Sequence, residues 1–259
     1  MSFSAKPRMM NSQLSGIVPV ILAVAFLVAI LVFSGRAQGA EMIIRGPQVS
    51  KEFLLGRFDP SRHPDFVEVA LTHGNKRGMF LQRETYKAFL SMAEEGKKNG
   101  VKLTVISATR TFGHQKGIWE AKWKKQPAKL NETDRAIGVL RFTSMPGTSR
   151  HHWGTDIDLN SLENDYFQKA EGQRLYGWLS ARAKEFGFCQ PYNPKGPERP
   201  YGYEEEKWHW SYLPLAKLYL SQYAKRISLQ DLKGFAGSNT AVSLDLIERY
   251  VLGINNDCR

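Results

Sequence analysis

Residues 149–159, SRHHWGTDIDL, bring two histidines and two aspartates into one short stretch of the chain. Imidazole nitrogens and carboxylate oxygens both bind zinc, and two histidines with one carboxylate leave the ion acidic enough for hydrolysis. His151, His152, Asp156 and Asp158 are therefore candidate ligands. A hydrolytic site needs three protein ligands and one open position, so the third ligand is expected from another part of the chain.

The stretch EKWHW, residues 206–210, offers such a ligand in His209 and places Glu206 three residues before it. A carboxylate beside a metal can take a proton from the attacking water and pass it to the leaving amine. In a regular strand Glu206 and His209 would face opposite sides, because side chains alternate along a strand. The hypothesis therefore requires a bend or bulge at Lys207 or Trp208.

Three patterns follow one another along the chain. They are S-x-x-R-x-x-x-x-Q (Ser107, Arg110, Gln115), S-x-H-x-x-G-x-x-x-D (Ser149, His151, Gly154, Asp158) and E-x-W-H (Glu206, Trp208, His209), with Pro146 and Gly147 before the second. Each pattern is modest alone. Together, in this order and spacing from about residue 80 to 215, they resemble the zinc D-alanyl-D-alanine carboxypeptidases of the VanY type.

The resemblance implies the Hedgehog/D,D-peptidase fold and a zinc ion held by His151, Asp158 and His209. It makes Glu206 the general base. It assigns Arg110 to the substrate carbonyl or carboxylate, where a guanidinium can neutralise developing negative charge. It assigns the other polar positions of the patterns to substrate binding, namely Ser107, Gln115 and Ser149.

Asp156 departs from the family pattern, which usually has a small residue at this position. Asp156 and Asp158 share one face of a strand, because side chains alternate with a period of two. Asp156 is therefore expected either to support a metal ligand or to compete as an alternative one. Thr111, where the family more often has serine, is a milder change. His152 has no spacing argument of its own and is expected to be a packed histidine.

The 259 residues are 42% hydrophobic and carry a formal net charge of +11, which is consistent with one globular domain and one substantial core. A basic exported domain suits an anionic cell envelope better than nucleic acid, although net charge also serves solubility. The two cysteines, Cys189 and Cys258, exclude a zinc site built from four cysteines. They allow one disulfide in an oxidising compartment.

The N-terminal part contains an apolar run, residues 17–33, that is preceded by Lys6 and Arg8 and by no acidic residue. This distribution predicts a membrane segment with a cytoplasmic N-terminus and an exported remainder. The length of the run favours an uncleaved anchor over a signal peptide, although small residues at 37, 39 and 40 allow cleavage. The expected division is residues 1–40, a cytoplasmic stub with a signal anchor or signal peptide, and residues 41–259, an exported peptidase domain.

Periodicity predicts the elements that position these residues. Helices are expected from residue 83 to about 96 and at 114–123, 175–186, 214–223 and 243–252, and extended strands at 101–105 and 206–213. Residues 124–148 show no sustained period and are expected to form a loop or lid in front of the metal-ligand candidates. The mixture of elements indicates an α+β fold, a small antiparallel sheet flanked by helices.

These expectations favour a zinc carboxypeptidase that removes the terminal D-alanine from peptidoglycan stem peptides outside the cytoplasmic membrane. The same metal site would serve an L,D-carboxypeptidase or an endopeptidase, because the motifs fix the chemistry and not the subsites. A non-catalytic zinc-bearing module that only binds the wall is a third alternative, which the presence of Glu206 disfavours. Peptidoglycan and the membrane are the expected partners, and nucleic acid is not.

Overall fold

Four short antiparallel strands form the main sheet of the protein, in a computed structural model that describes Met1 and residues 48–259. The described part of the chain has six strands in two sheets: β1 Phe66–Glu68, β2 Phe80–Gln82, β3 Val105–Ser107, β4 Asp156–Leu159, β5 Phe188–Cys189 and β6 His209–Tyr212. The main sheet has the order β3-β4-β6-β5, and β1 pairs with β2 in a separate two-stranded sheet.

Helices and single helical turns make up most of the remaining regular structure. The α-helices are α1 Lys51–Leu54, α2 Arg83–Lys98, α3 Phe112–Lys125, α4 Glu132–Leu140, α5 Ala170–Arg182, α6 Leu213–Arg226 and α7 Thr240–Ser243. Short 3₁₀ turns occur at Arg150–Trp153, Asn164–Gln168, Ala183–Phe186, Leu229–Asp231 and Asn256–Cys258. The prediction of an α+β fold with a small antiparallel sheet and helices is confirmed.

Local sequence signals explain where several helices begin. Thr111 and Asn131 stand before α3 and α4, and their side-chain oxygens accept hydrogen bonds from the backbone N–H groups of His114 and Asp134. Such caps satisfy donors that have no partner inside the helix. Pro214 lies in the first turn of α6, where its missing N–H is not needed.

Two buried apolar clusters hold these elements together. One packs the sheet residues Val105 and Ile157 with Phe89 of α2. The other surrounds Trp119 of α3 and Tyr223 of α6. Truncating a large buried aromatic side chain to alanine costs about 3–5 kcal/mol. The clusters therefore fix the strand positions on which the site depends.

The pairing of the central strands aligns polar residues across the sheet. Because β4 pairs with both β3 and β6, Asp158 lies opposite Ser107 on one side and His209 on the other. Opposed residues of an antiparallel pair have Cβ atoms about 4.5–5.5 Å apart. Two residues back along β4, Asp156 lies opposite Ser211 on the same face. The register thus brings distant parts of the sequence into one polar row.

The segment at residues 124–148, predicted to be a loop or lid, contains the helix α4, so the prediction that it lacks regular structure is wrong. Asn131 caps the helix, and its buried residues are Ala136, Val139 and Leu140. A helix of 9 residues is too short for its apolar period to stand out in the sequence.

The predicted strand at 101–105 enters the sheet only at Val105, where β3 begins. Val101 and Leu103 are buried, as the alternation predicts. Thr104, however, donates its N–H to Oδ1 of Asn160 at 3.1 Å and accepts from the N–H of Asn160 at 2.9 Å. Asn160 follows the last residue of β4 and has a φ of 62°, which is not a strand conformation. The segment before Val105 is therefore bonded to a turn residue and not to a strand.

The predicted final helix at 243–252 is interrupted. α7 ends at Ser243, and a π-helical turn follows at Ile247–Val251. Asp245, with a φ of 47°, lies between them in the left-handed region, which breaks a right-handed helix.

Cys189 and Cys258 form a disulfide, with Cα atoms 5.7 Å apart. The bond joins β5 to the last 3₁₀ turn across 69 residues of sequence. The sequence allowed this pairing without requiring it.

The predicted membrane segment at residues 17–33 lies outside the described residues. Within the described part of the chain, no helix has the length and apolar character needed to cross a membrane.

Candidate active site

His151, Asp158 and His209 converge on one point. His151 belongs to the 3₁₀ turn before β4, Asp158 to β4 and His209 to the start of β6. One ligand atom from each lies within 4.8 Å of the other two. Oδ1 of Asp158 is 3.2 Å from Nε2 of His151 and 3.1 Å from Nδ1 of His209. All three residues are buried.

The second nitrogen of each imidazole is held by the protein. Nδ1 of His151 is placed to donate to the carbonyl of Ala108 at 2.9 Å, and Nε2 of His209 to Oδ1 of Asp156 at 2.9 Å. Nε2 of His151 and Nδ1 of His209 are then the two nitrogens that face a metal, as such second contacts ensure in metal sites.

The arrangement fits a zinc ion. Nε2 of His151 and Oδ1 of Asp158 are buried and have no hydrogen-bond partner among the described residues. Buried polar atoms without a partner are costly, which makes these two atoms suited to coordination. Two imidazoles and one carboxylate form a ligand set of the hydrolytic kind, with one position left for the reactants.

Asp156, the residue that departs from the family pattern, lies behind His209. Its Oδ1 also accepts from Nε of Arg150 at 3.0 Å, and its Oδ2 accepts from the hydroxyls of Thr155 at 2.6 Å and Ser211 at 3.1 Å. Arg150 donates in addition to the hydroxyl of Ser211 at 2.6 Å. All these side chains are buried. Because four donors occupy the carboxylate, the geometry favours a supporting role over that of an alternative ligand.

The buried charges of this network stabilise one another. Burial alone would raise the pKa of Asp156, but Arg150 and His209 hold that pKa well below its ordinary value. Burial alone would lower the pKa of His209, but its hydrogen bond with Asp156 and the adjacent carboxylate of Asp158 raise that pKa to about 9. Burial lowers the pKa of His151 to about 4, so this ring is neutral near pH 7, the form that binds a metal.

Glu206 lies beside the metal-ligand candidates because the chain bends before β6. Lys207 and Trp208 form a turn, in which the N–H of His209 donates to the carbonyl of Glu206 at 3.2 Å. Oε2 of Glu206 is thereby 3.5 Å from Nδ1 of His209. Burial raises the pKa of Glu206 to about 7. A carboxyl of this kind can accept and release a proton near neutral pH.

Arg110 follows β3, and its guanidinium is fixed from three sides. Nε donates to the hydroxyl of Ser107 at 3.1 Å and Nη1 to Oε1 of Gln115 at 3.1 Å. Nη2 donates to Oδ2 of Asp158 at 2.9 Å. The side chain is 17% exposed, so a positive charge of fixed orientation reaches the surface of the site.

The residues assigned to substrate binding are placed differently from one another. Ser107 lines a cleft together with Arg110. Gln115 is fully buried and donates to the carbonyl of Ser144 at 2.8 Å, so it lies behind Arg110 and holds it in place. Ser149 is buried and is not part of the cleft wall among the described residues.

His152 is a packed histidine with a supporting function that the sequence did not indicate. Its Nε2 accepts from the N–H of Gly147 at 3.0 Å, and its Nδ1 is placed to donate to the carbonyl of Arg110 at 2.6 Å. Burial lowers its pKa to about 3. The ring thus ties the turn before the second pattern to the segment that carries Arg110. Arg150 was also missed, since an arginine in a polar stretch gives no sign of burial.

The cleft over this site has a volume of about 590 Å³. Its wall includes Arg110, Asp158 and Glu206, and apolar surface is contributed by Phe142 and Trp208. A second cavity of about 660 Å³ lies beside α2, and no candidate site residue lines it. The cleft that contains Arg110 therefore brings one metal-ligand candidate, Asp158, together with Glu206 and room for a substrate.

Comparison with known proteins gives relatives over the same region. The D-alanyl-D-alanine carboxypeptidase of Enterococcus faecalis is 30% identical over 121 residues, which are 46% of this chain and 43% of that protein. YodJ of Bacillus subtilis is 29% identical over 171 residues, which are 64% of this chain and 58% of that protein. The chain thus spans about half the length of these curated relatives.

Solved structures of similar proteins include VanYB in complex with D-alanine-D-alanine. It is 22% identical, with a TM-score of 0.49, and the match covers 65% of this chain and 93% of that chain.

A protein-family model matches a region of the chain that is longer than any single pattern. The family described as VanY: D-alanyl-D-alanine carboxypeptidase matches residues 78–215, more than half of the 259 residues. This region runs from before β2 to the start of α6 and contains all three patterns, in the order in which the sheet assembles them. The chain therefore belongs to the VanY family of D-alanyl-D-alanine carboxypeptidases.

Proposed function

We propose that this protein is a zinc-dependent D-alanyl-D-alanine carboxypeptidase that removes the terminal D-alanine from peptidoglycan stem peptides. One observation carries the proposal: a ligand set of two histidines and one aspartate meets, through Asp158, a cleft that a buried carboxylate, Glu206, and a fixed guanidinium, Arg110, also line. Membership of the VanY family supports the substrate class.

Each residue has a distinct task in this reaction. Zinc, when bound by His151, Asp158 and His209, supplies the Lewis acidity that peptide hydrolysis requires. Glu206 accepts a proton from the attacking water as the water oxygen bonds to the scissile carbonyl carbon. When the C–N bond breaks, the same carboxyl gives that proton to the leaving amine, which releases D-alanine and the shortened peptide.

Arg110 neutralises the negative charge that develops on the carbonyl oxygen. Its bonds to Ser107, Gln115 and Asp158 hold the guanidinium before the substrate arrives. A donor fixed in advance needs no reorganisation during the reaction, which is the main source of electrostatic catalysis.

The site acts outside the cytoplasmic membrane in this proposal. The disulfide between Cys189 and Cys258 suits an oxidising compartment. The apolar run at residues 17–33 and the basic residues before it support export, with residues 41–259 as the exported domain. Counting free thiols on protein from the cell envelope tests the compartment, and the N-terminal residue of that protein tests whether the run is cleaved.

A direct test is to incubate the purified protein with a muropeptide pentapeptide and weigh the products. We expect loss of one alanine, which stops with a chelator and returns with zinc. Parallel incubations with a tetrapeptide and with intact sacculus separate this activity from an L,D-carboxypeptidase and an endopeptidase, which would use the same metal site.

Glu206→Ala should lower turnover by about 10²–10⁴-fold while zinc remains bound, because only the general base is removed. Glu204→Ala is the matched control, since this glutamate forms a surface salt bridge with Lys195 and should leave turnover unchanged. Unimpaired turnover in Glu206→Ala would remove Glu206 from the mechanism. Bound zinc without cleavage of any peptide would favour a non-catalytic wall-binding module.

A further inference from the structure

Lys122 contributes a positive charge to the cleft in addition to Arg110. The residue comes from α3 and lines the cleft that contains Arg110 and Glu206. Its Nζ donates to the hydroxyl of Thr143 at 2.7 Å. Among the described residues, Lys122 forms no salt bridge. An ammonium group that lines a substrate cleft with only a neutral partner keeps donors available for an anion.

We propose that Lys122 recognises a free carboxylate of the substrate peptide. The proposal rests on the proposed function, because it concerns the peptide that occupies the same cleft, and it adds a residue that lies outside all three sequence patterns. The chemical class of the ligand is an alkyl carboxylate, which an ammonium group binds as a point charge.

The position of Thr143 explains how a long side chain can serve this purpose. Lys122 is exposed overall, and a free lysine would lose much conformational freedom on binding a ligand. Thr143 is buried, so its hydroxyl is a fixed acceptor that holds the ammonium against the cleft wall. Part of the ordering is therefore complete before a substrate binds.

Arg110 is less able to serve as the carboxylate receptor. Each of its three guanidinium nitrogens already donates to a protein acceptor, and one of these acceptors is the carboxylate of Asp158. In the proposed reaction its remaining donors face the carbonyl oxygen that becomes charged. A substrate carboxylate then needs another cation, and Lys122 lines the same cleft as Glu206.

Lys76 also lines the cleft, but it lacks the features that single out Lys122. Both lysines are exposed overall, but among the described residues the ammonium of Lys76 forms no hydrogen bond to a buried side chain. Lys122 combines a buried anchor with proximity to the general base. The geometry therefore assigns the carboxylate to Lys122.

Stem peptides offer more than one free carboxylate. The C-terminal D-alanine carries one, and the second and third residues can carry others, depending on composition and amidation. A pentapeptide and its derivatives, each amidated at a single carboxylate, therefore identify which carboxylate is bound.

The experiment measures peptide binding by calorimetry in zinc-loaded Glu206→Ala protein, so that no peptide is cleaved. Lys122→Met removes the charge and keeps the aliphatic stem, Lys122→Arg keeps the charge, and Lys124→Met is a control on the same helix outside the cleft wall. A charge-assisted hydrogen bond of this kind corresponds to a loss of about 10- to 100-fold in affinity for Lys122→Met. Lys122→Arg should bind within a few-fold of the parent and Lys124→Met should match it.

The amidated peptides separate recognition from a general structural effect. The peptide amidated at the recognised carboxylate should bind the parent and Lys122→Met equally, whereas the other peptides should discriminate between them. A change of less than about twofold with the free pentapeptide would overturn the proposal. An equal loss with a peptide amidated at every carboxylate would also overturn it.

The binding measurement keeps this proposal distinct from the proposed function. If the wild-type protein cleaves no stem peptide but Lys122→Met weakens binding of one carboxylate, the function is wrong and the role of Lys122 stands. If the peptide is cleaved and Lys122→Met binds normally, the reverse holds.

Discussion

Replacing Asp156 with asparagine tests whether the carboxylate behind His209 supports the metal site. Asparagine has the same shape, and its amide oxygen can still accept from Nε2 of His209 and Nε of Arg150, which lie 2.9 and 3.0 Å from Oδ1. The amide NH₂ group would face the two hydroxyls that donate to Oδ2, and these can rotate to accept. The substitution therefore removes mainly the negative charge.

Two effects of measurable size should follow. Removing one partner of a buried ion pair costs about 3–5 kcal/mol of stability, and because Arg150 keeps a hydrogen bond we expect about 3 kcal/mol. Loss of the carboxylate partner of a metal-binding histidine lowers metal affinity by about 10–100-fold. That factor corresponds to about 1.4–2.8 kcal/mol of binding free energy.

Separate assays resolve the two effects. Urea unfolding of the metal-free protein measures stability, and competition with a zinc chelator measures affinity. Asp156→Asn combined with Arg150→Met should recover stability, because no unpaired buried charge remains, but should not recover zinc affinity. Asp65→Asn, which changes an exposed aspartate, should alter neither quantity.

Two results would refute this reasoning. Zinc affinity in Asp156→Asn within twofold of the wild-type value would show that the negative charge of Asp156 does not contribute to metal binding. Recovery of zinc affinity by Arg150→Met would show that the loss came from destabilised folding and not from the missing charge beside His209.

Three further predictions concern protonation and support of the site. Since the pKa of His209 is raised to about 9 in the metal-free protein, a metal must displace a proton from this ring below that pH. Zinc affinity should therefore fall by up to about tenfold for each pH unit below 9. A chelator competition series from pH 7 to 9 measures this, and a flat profile would contradict it. Glu206 has a pKa raised to about 7 and cannot accept a proton once it is protonated, so turnover should decrease at acid pH. The midpoint of this decrease should lie at or below about 7, because a bound cation favours the carboxylate. The pH dependence of kcat tests this prediction. His152→Leu leaves the buried N–H of Gly147 and the carbonyl of Arg110 without their partner. The free energy of unfolding, measured in urea, should therefore decrease by about 1–3 kcal/mol, and turnover should decrease with zinc still bound. Loss of zinc instead would place His152 in the metal site.

The sequence could indicate the candidate ligand residues but not the contacts between them. His151 and Asp158 belong to one pattern and His209 to another, and spacing within a pattern says nothing about which strands pair. The opposition of Asp158 and His209 arises from the register of β4 and β6, which depends on tertiary packing. The bend at Lys207 could be predicted, because Glu206 and His209 had to face the same point.

The supporting residues were harder to predict for a physical reason. Arg150 lies in a polar stretch, and arginine is seldom fully buried, so both the residue type and its neighbours indicate an exposed side chain. Its burial depends on the nearby carboxylate of Asp156, and the departure of Asp156 from the family pattern was the one available sign. The helix α4 was missed because its 9 residues span too few turns to define a period.

The buried residues of the site form a chain of alternating charge. From Arg150 the chain passes through Asp156, His209 and Asp158 to Arg110, with successive contacts of 3.0, 2.9, 3.1 and 2.9 Å. Each carboxylate lies between two positive groups when His209 is protonated, which is its state in the metal-free protein near pH 7. A metal held by His151, Asp158 and His209 would replace the proton on Nδ1 of His209 and would preserve the positive charge of this position. The charge pattern that binds the metal is therefore also the pattern that allows the fold to bury these groups without it.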